Sequence, residues 1–353
     1  MKKSLSSFEL SCIVKELQPL GRGIIDFIGM SDKKELFMGI HIAGTGKTYV
    51  RLIAGKAAFI VSEKKTAEKL SGFCAFLRKH LDQARISSIT QPFGERIIRF
   101  MCAAKEGELT LLVELFGKGN IMLVKEDVIL GCAELQQWKD RAIRPGEKYR
   151  VTEKESFSEA LEHLTAESLV KSLAVDCGLG GIYAEELCKR VDVNKNTVPS
   201  AVTSAMHKKL VAAWDALQKE SVMGYCIYKE NSVVDVTPIR LHTYTGCETK
   251  EFPTYSEALA FAYSLGEESA GQAELRKKRE KLMTITQQQE ANIVTWEKER
   301  EDAAKTAEWI YHHYQDVQNL LLQVREAFEK KNPMPKEVKE VKRKEKKVIV
   351  ELE

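Results

Sequence analysis

The chain has 353 residues, 44% hydrophobic and 30% charged, with a formal net charge of +3. That length suits about two domains plus an extension, and that apolar share suffices for a real core. The near-neutral balance excludes a protein whose bulk charge alone would gather nucleic acid, and no uncharged apolar run reaches the ~18 residues that cross a membrane.

In chain order, Ser6-Ser7-Phe8-Glu9 has capping-box spacing, and Phe8, Cys12, Ile13 and Leu17 share one face, which predicts a helix from Ser6. Glu9, Lys15 and Glu16 interrupt any secretory h-region. Strands are predicted to about Ile60. Among them lies HIAGTGKTYV, residues 41–50, which looks like the end of a phosphate-binding P-loop. That motif needs G-x-x-x-x-G-K-[ST] between a strand and a helix. The position due the first glycine holds His41. Leu36, Met38, Ile40 and Ile42 alternate before the stretch, and Tyr49 to Ile53 read as a strand after it. The pattern predicts a hairpin with a glycine-rich turn.

Residues 63–82 are expected to be helical, with Leu70, Phe73, Cys74, Leu77 and Leu81 at spacings of three and four. Arg78, Lys79 and His80 share one turn, as a solvated face or an RNA-contacting one. From Arg85 to Leu130 the pattern returns to strands, with turns at Pro92-Phe93-Gly94, Gly117-Lys118-Gly119-Asn120 and Glu126-Asp127. This is an α+β unit, helices on a mostly antiparallel sheet, closing near RPGEKYRV. From Ser156 to about Gln218 the chain reads as helices. Gly178-Leu179-Gly180-Gly181 between two of them resembles a helix-hairpin-helix turn. Such a turn can offer backbone N–H groups to a phosphate, or be a plain helix C-cap and loop, and the glycines alone leave both open.

Residues 223–246 read as strands with a turn at Glu230-Asn231-Ser232, TYSEALAFAYSLG as a short helix, and Gly266 to Gly271 as a hinge. One long helix is predicted from about Leu275 to Phe328. From Gln289 it carries a strict four-three alternation: Ile293, Trp296, Arg300, Ala303, Ala307, Ile310, Tyr314, Val317, Leu321, Val324 and Phe328. Ten of those twelve positions are apolar or aromatic. That is a coiled-coil seam that needs a partner helix, and in it Trp296 and Tyr314 are expected to be core. Pro333 and Pro335 stop the helix. Residues 330–347 then carry nine Lys/Arg against three Glu, and KVIVELE reads as the start of a strand. The eight cysteines never adopt C-x-x-C spacing, so neither a zinc site nor a redox motif is expected. Most fall in apolar runs and are expected to be buried small hydrophobes in a reducing cytoplasm.

Five stretches carry a family likeness, in order: FELSCIVKEL, FLRKHLDQARISSITQPFGERIIRF, VELFGKGNIMLV, CGLGGIYAEELCKR and AEWIYHHYQDVQNLLLQV. With them the chain resembles the N-terminal half of NFACT proteins, the ribosome-associated quality-control factors, in an archaeal-like form. The resemblance implies an N-terminal domain similar to the formamidopyrimidine-DNA glycosylase fold, a helix-hairpin-helix insert and a coiled-coil arm. It implies the boundaries 1–152 for the N-terminal α+β domain, 153–220 for the helix-hairpin-helix region, and 221–270 for strands and a short helix completing that part. The long coiled-coil helix then spans 271–330, and a basic tail with the start of a strand spans 331–353.

The implied role is recognition of an obstructed large ribosomal subunit, with its rRNA and peptidyl-tRNA, and binding of a tRNA, with alanine tRNA as a candidate because the tails are alanine-rich in many cases. This supports C-terminal tailing without mRNA. The ribosome makes the peptide bond, so no catalytic residue, cofactor or metal is expected. The family's tRNA-recognition cluster falls on Glu9, Glu95 and Arg96; both acids are commonly Asp in the family and Glu here. Arg78, Lys79, Gly178, Gly180, Lys342, Arg343 and Lys344 are expected as further RNA contacts. A returning coiled-coil helix and C-terminal RNA-binding domain are expected after KVIVELE, so the chain is expected to be a fragment or one half of a split protein, the second polypeptide then supplying both. Glycosylase activity is not expected: that fold's enzymes use an N-terminal proline, and residues 2 and 3 are lysines. The alternative is a coiled-coil scaffold that binds ribosomes without tailing.

Overall fold

The computed structural model describes residues 4–64, 71–151, 154–230, 232–330, 333–342 and 347–350, with the side chains of 268–274 and 276 also left aside. The chain forms two compact units, Met1–Ser269 and Ala270–Glu353.

The first unit opens with helix α1 (Ser7–Leu17) and strands β1 (Ile24–Asp32), β2 (Glu35–Ile42), β3 (Gly46–Ile53) and β4 (Ala57–Val61). Helix α2 (Gly72–Leu81) precedes β5 (Arg85–Thr90), β6 (Ile97–Ala104), β7 (Gly107–Glu114), β8 (Asn120–Lys125) and β9 (Val128–Cys132). These nine strands make one antiparallel sheet in the order β4-β3-β2-β1-β5-β6-β7-β8-β9. Its two halves meet through a single paired position, Ile24 with Arg85. The turn after β3 and the turn after β7 touch: Gly55 N–H donates to Glu114 O at 2.8 Å, and a Cβ at Gly119 would stand 2.0 Å from Gly55 N. Only glycine allows that approach.

A small ribbon, β10 (Gln136–Gln137) with β11 (Ala142–Ile143), leads to the helices α3 (Phe157–Ala160), α4 (Leu169–Val175), α5 (Gly181–Arg190) and α6 (Ser204–Gln218). They pack on the apolar face of α1. Phe8 meets Tyr183 edge-on with ring centroids 4.9 Å apart and Trp214 at 5.4 Å. A three-stranded sheet follows, with β12 (Gly224–Lys229) between β13 (Ser232–Thr237) and β14 (Glu248–Phe252). Helix α7 (Tyr255–His312) begins in this unit and continues in the second, which also holds α8 (Tyr314–Lys330) and a hairpin of β15 (Val338–Lys342) and β16 (Lys347–Val350).

The α+β architecture and the β2–β3 hairpin agree with the sequence pattern; Ile42 pairs with Gly46 across the turn. Five readings need correction. Glu63 and Lys64 are not helical; α2 starts at Gly72, because Ser71 caps it by accepting from Cys74 N–H at 3.1 Å. Residues 65–70 of that expected helix lie outside the described residues, as does Asn231 of the expected 230–232 turn. The hinge at Gly266 to Gly271 is helical backbone within α7, since two glycines cost a long helix only about 1 kcal/mol each. The long helix is interrupted at His313, whose ring stacks on Trp309 at 4.2 Å. The basic run contains a strand, β15, which pairs antiparallel with β16, Val341 opposite Val348. Finally, Trp296 and Tyr314 are not core in this chain: they are 63% and 61% exposed.

Candidate nucleic-acid interface

The predicted cluster is built on the first turn of α1 and the loop between β5 and β6. Glu9 completes the capping box: Ser6 N–H donates to its Oε2 at 2.7 Å, and Glu9 N–H donates to Ser6 Oγ at 3.2 Å. Its Oε1 accepts from the Tyr183 hydroxyl on α5 at 2.9 Å, and the residue is 1% exposed. Burial, with the Glu9 carboxylate next in effect, pushes the Tyr183 hydroxyl well above its ordinary pKa, so it remains a donor.

Glu95 and Arg96 lie half-buried beside that turn. Glu95 N–H donates to Pro92 O at 3.0 Å, with Gly94 in the left-handed region at φ +70°. Gln91 fixes the loop to α1: its Nε2 donates to Ser7 O at 2.9 Å and to Glu95 O at 2.6 Å. Arg96 O accepts from Leu115 N–H at 2.8 Å. The backbone is thus pinned, while neither the Glu95 carboxylate nor the Arg96 guanidinium has a side-chain partner among the described residues. The fold brings Glu9, Glu95 and Arg96 to adjoining segments, but the Glu9 carboxylate faces inward.

The glycine turn joins the same place. Gly178 has φ +70° and Gly180 φ +80°. Leu179 N–H donates to Leu173 O and Gly180 N–H to Ala174 O, so two amides of the turn serve as the C-cap of α4. The C-cap reading left open in the sequence holds for those two; Gly178 N–H keeps no partner among the described residues.

The other expected contacts are elsewhere. Arg78 Nε donates to Ile28 O at 2.7 Å and the guanidinium lies over Phe27, and His80 pairs with Glu106 at 2.9 Å. Lys79, between them, is exposed. Lys342 belongs to the second unit, where it lines an apolar hollow with Val324 and Phe328; Arg343 and Lys344 lie outside the described residues. Lys47 of the P-loop-like stretch pairs with Asp26 at 2.8 Å and lies 5.4 Å from the Tyr49 ring centroid.

One residue was missed by reading the sequence. Lys154 joins the 92–95 turn to the glycine turn: its N–H donates to Phe93 O at 3.2 Å, and its stem crosses Gly94 towards Gly178. Nothing in its spacing marks it; Gly94 was the only available signal. Beside it opens a cleft of about 480 Å³, lined among others by Ser7, Gln91, Phe93, Lys154, Gly178 and Trp214. Phe93 is 50% exposed there. Cys177 also lines it, and burial pushes its thiol up to about 12, as it does for Cys12 and Cys102, so none is a ready nucleophile. Among the described residues no cluster of His, Cys, Asp and Glu could hold a metal ion, and no helix is long and apolar enough to cross a membrane.

Set beside known proteins, residues 6–353 match the NFACT N-terminal and middle domains. The chain is 29% identical over 362 aligned residues to the archaeal Rqc2 homolog aRqcH of Methanocaldococcus jannaschii, covering 94% of this chain and 53% of that protein. It is 27% identical over 125 residues to the ribosome quality control complex subunit NEMF homolog of Drosophila melanogaster, 35% of this chain and 13% of that one. It therefore spans about half the length of the archaeal relative and far less of the fly one. In fold it is similar to the fibrinogen binding protein from Staphylococcus aureus, with a TM-score of 0.59 and 19% identity over 72% of this chain and 97% of that one.

Proposed function

We propose, from the premise that the chain belongs to the NFACT family, that it is a ribosome quality-control factor that binds obstructed large ribosomal subunits together with a tRNA. In this reading it positions the tRNA for mRNA-independent tailing of the stalled chain, and the ribosome performs the chemistry. The observation that carries the reading is the Glu95–Arg96 pair. A fixed backbone presents a carboxylate and a guanidinium without side-chain partners beside a cleft holding a lysine and an exposed phenylalanine. Arginine clamps phosphate or stacks on a base, and a carboxylate accepts from base amino groups, which single-stranded loops expose. Glu9 serves by holding the first turn of α1 under that loop. Lys79 and the 330–347 basic segment add non-specific contacts to RNA. The open seam of α7 and α8 takes a partner helix.

A second reading, a coiled-coil scaffold that binds ribosomes without tailing, draws on the inward-facing Glu9 carboxylate. One experiment separates them: recovery of the tagged chain from cells, with sequencing of the bound RNA. Large-subunit rRNA with a restricted set of tRNAs, the tRNAs lost in Arg96→Ala, is the expected result. Equal recovery of both subunits with no tRNA would overturn the tRNA-binding reading.

A further inference from the structure

We propose that the cleft beside Lys154 takes one unpaired nucleotide of an RNA strand, its phosphate on the Lys154 ammonium and its base against Phe93, and that it selects bases bearing an exocyclic amino group. The inference deepens the tRNA-binding reading and rests on it for the source of the strand.

The cation is placed by the fold. A Cβ at Gly94 would stand 2.6 Å from Lys154 Cβ and 3.0 Å from its Cδ, and a Cβ at Gly178 would stand 3.1 Å from its Nζ. Two glycines of positive φ thus leave the channel in which the lysine stem lies, and the backbone bond to Phe93 O anchors its root. Surface lysines ordinarily keep their rotamer freedom or find a carboxylate. This one, on an exposed residue, lies over Gly178 with no carboxylate partner among the described residues. Glu155 also lines the cleft and is the one carboxylate residue in its lining.

The cleft's size and walls suit one nucleotide. About 480 Å³ lies within the range of small-ligand pockets and is far too small for a duplex. The half-exposed Phe93 offers a stacking face, and Trp214 forms part of the wall.

The amides supply the selectivity. Gln91 Nε2 donates to Ser7 O and Glu95 O, and Gln18 Nε2 donates to Val14 O and Ile89 O. Gln91 Nε2 also donates to Ser7 Oγ at 3.0 Å, and the four backbone carbonyls among these partners only accept, so both amide orientations are fixed. Each therefore keeps its carbonyl oxygen unpartnered among the described residues, and both residues line the cleft. Adenine, cytosine and guanine can donate to such acceptors from an exocyclic amino group; uracil has none.

The test is fluorescence anisotropy of the full chain with labelled hexaadenylate, hexacytidylate and hexauridylate, and in parallel with bulk tRNA. Hexaadenylate and hexacytidylate should bind at least about fivefold more tightly than hexauridylate. Lys154→Ala should weaken hexaadenylate about tenfold and lower the salt slope by about 0.7, the loss of one single-strand phosphate contact. Lys154→Arg should restore binding to within about threefold. Phe93→Ala should weaken binding about tenfold with the slope unchanged, as a lost stacking face should. Unchanged binding in Lys154→Ala, or equal affinity for hexauridylate, overturns the proposal. If tRNA binds and Lys154→Ala has no effect, the cleft proposal fails and the tRNA reading stands. If hexaadenylate binds through Lys154 and tRNA does not, the reverse holds.

Discussion

The Tyr183 hydroxyl donates to the Glu9 carboxylate at 2.9 Å, tying the first turn of α1 to α5 across 174 positions of sequence. Glu9 thereby accepts from the capping-box amide with one oxygen and from a buried phenol with the other. Glu9→Ala removes the box, worth about 1 kcal/mol, and strands a buried hydroxyl, worth about 1–3 kcal/mol more. The expected loss of stability is about 2–4 kcal/mol in urea unfolding. Tyr183→Phe, which removes the donor along with its acceptor bond, should cost less, about 1 kcal/mol. Glu9→Ala within about 0.5 kcal/mol of the parent would show that the link carries no stability.

The two conspicuous cations should part company in RNA binding. Lys47 is engaged by Asp26 on the exposed edge of a hairpin, so Lys47→Ala should leave tRNA affinity within about threefold and stability within about 1 kcal/mol. Arg96 has no side-chain partner among the described residues, so Arg96→Ala should weaken tRNA about tenfold or more, a charge-assisted contact at a site with nothing to replace it. Filter binding of both variants at one salt concentration decides; equal effects would remove the distinction drawn between the motif and the loop.

These assignments show where sequence reasoning reached and where it stopped. The capping box, the failed P-loop at His41 and the β2–β3 alternation are local, and local spacing exposes them. Gly266 and Gly271 misled because a glycine's cost inside a helix is small against the run of helix formers around it. Strand β14, ETKEF, has little apolar alternation of its own and is held as an edge strand by β12. Lys154 was invisible because its distinction is tertiary: its stem lies between glycines that stand 60 and 24 positions away in sequence. Arg78 was ambiguous for the same reason, since only the fold reveals that Ile28 O takes its Nε–H.

Asp176 gives the helical hairpin a pH dependence. Burial pushes its carboxyl up, but the hydrogen bonds donated by Thr165, Ser172 and Ala166 outweigh it, and its pKa lies below the ordinary value. A depressed carboxylate stabilises the fold above the unfolded pKa, near ~3.9, and loses that contribution as pH falls through the folded value. Asp176→Asn should therefore melt at a lower temperature than the parent at pH 7, with the gap closing below about pH 4. A gap that persists unchanged at pH 3 would assign the effect to shape rather than charge.

The seam makes the last prediction. Along α7 and α8, Ile293, Trp296, Tyr314 and Leu321 are between 49% and 63% exposed. Among the described residues, those of α7 from Lys277 to Glu308 are all exposed, and helices in proteins draw most of their stability from tertiary packing. The isolated 353-residue chain should therefore either self-associate or exchange the amides around Trp296 within seconds. A partner helix should slow that exchange and shift Trp296 emission to the blue as the ring leaves water. Hydrogen exchange and sedimentation on the same sample decide between outcomes. A monomer with slowly exchanging amides from Ile293 to Ile310 would mean that the arm is stable alone, and that the seam needs no second helix.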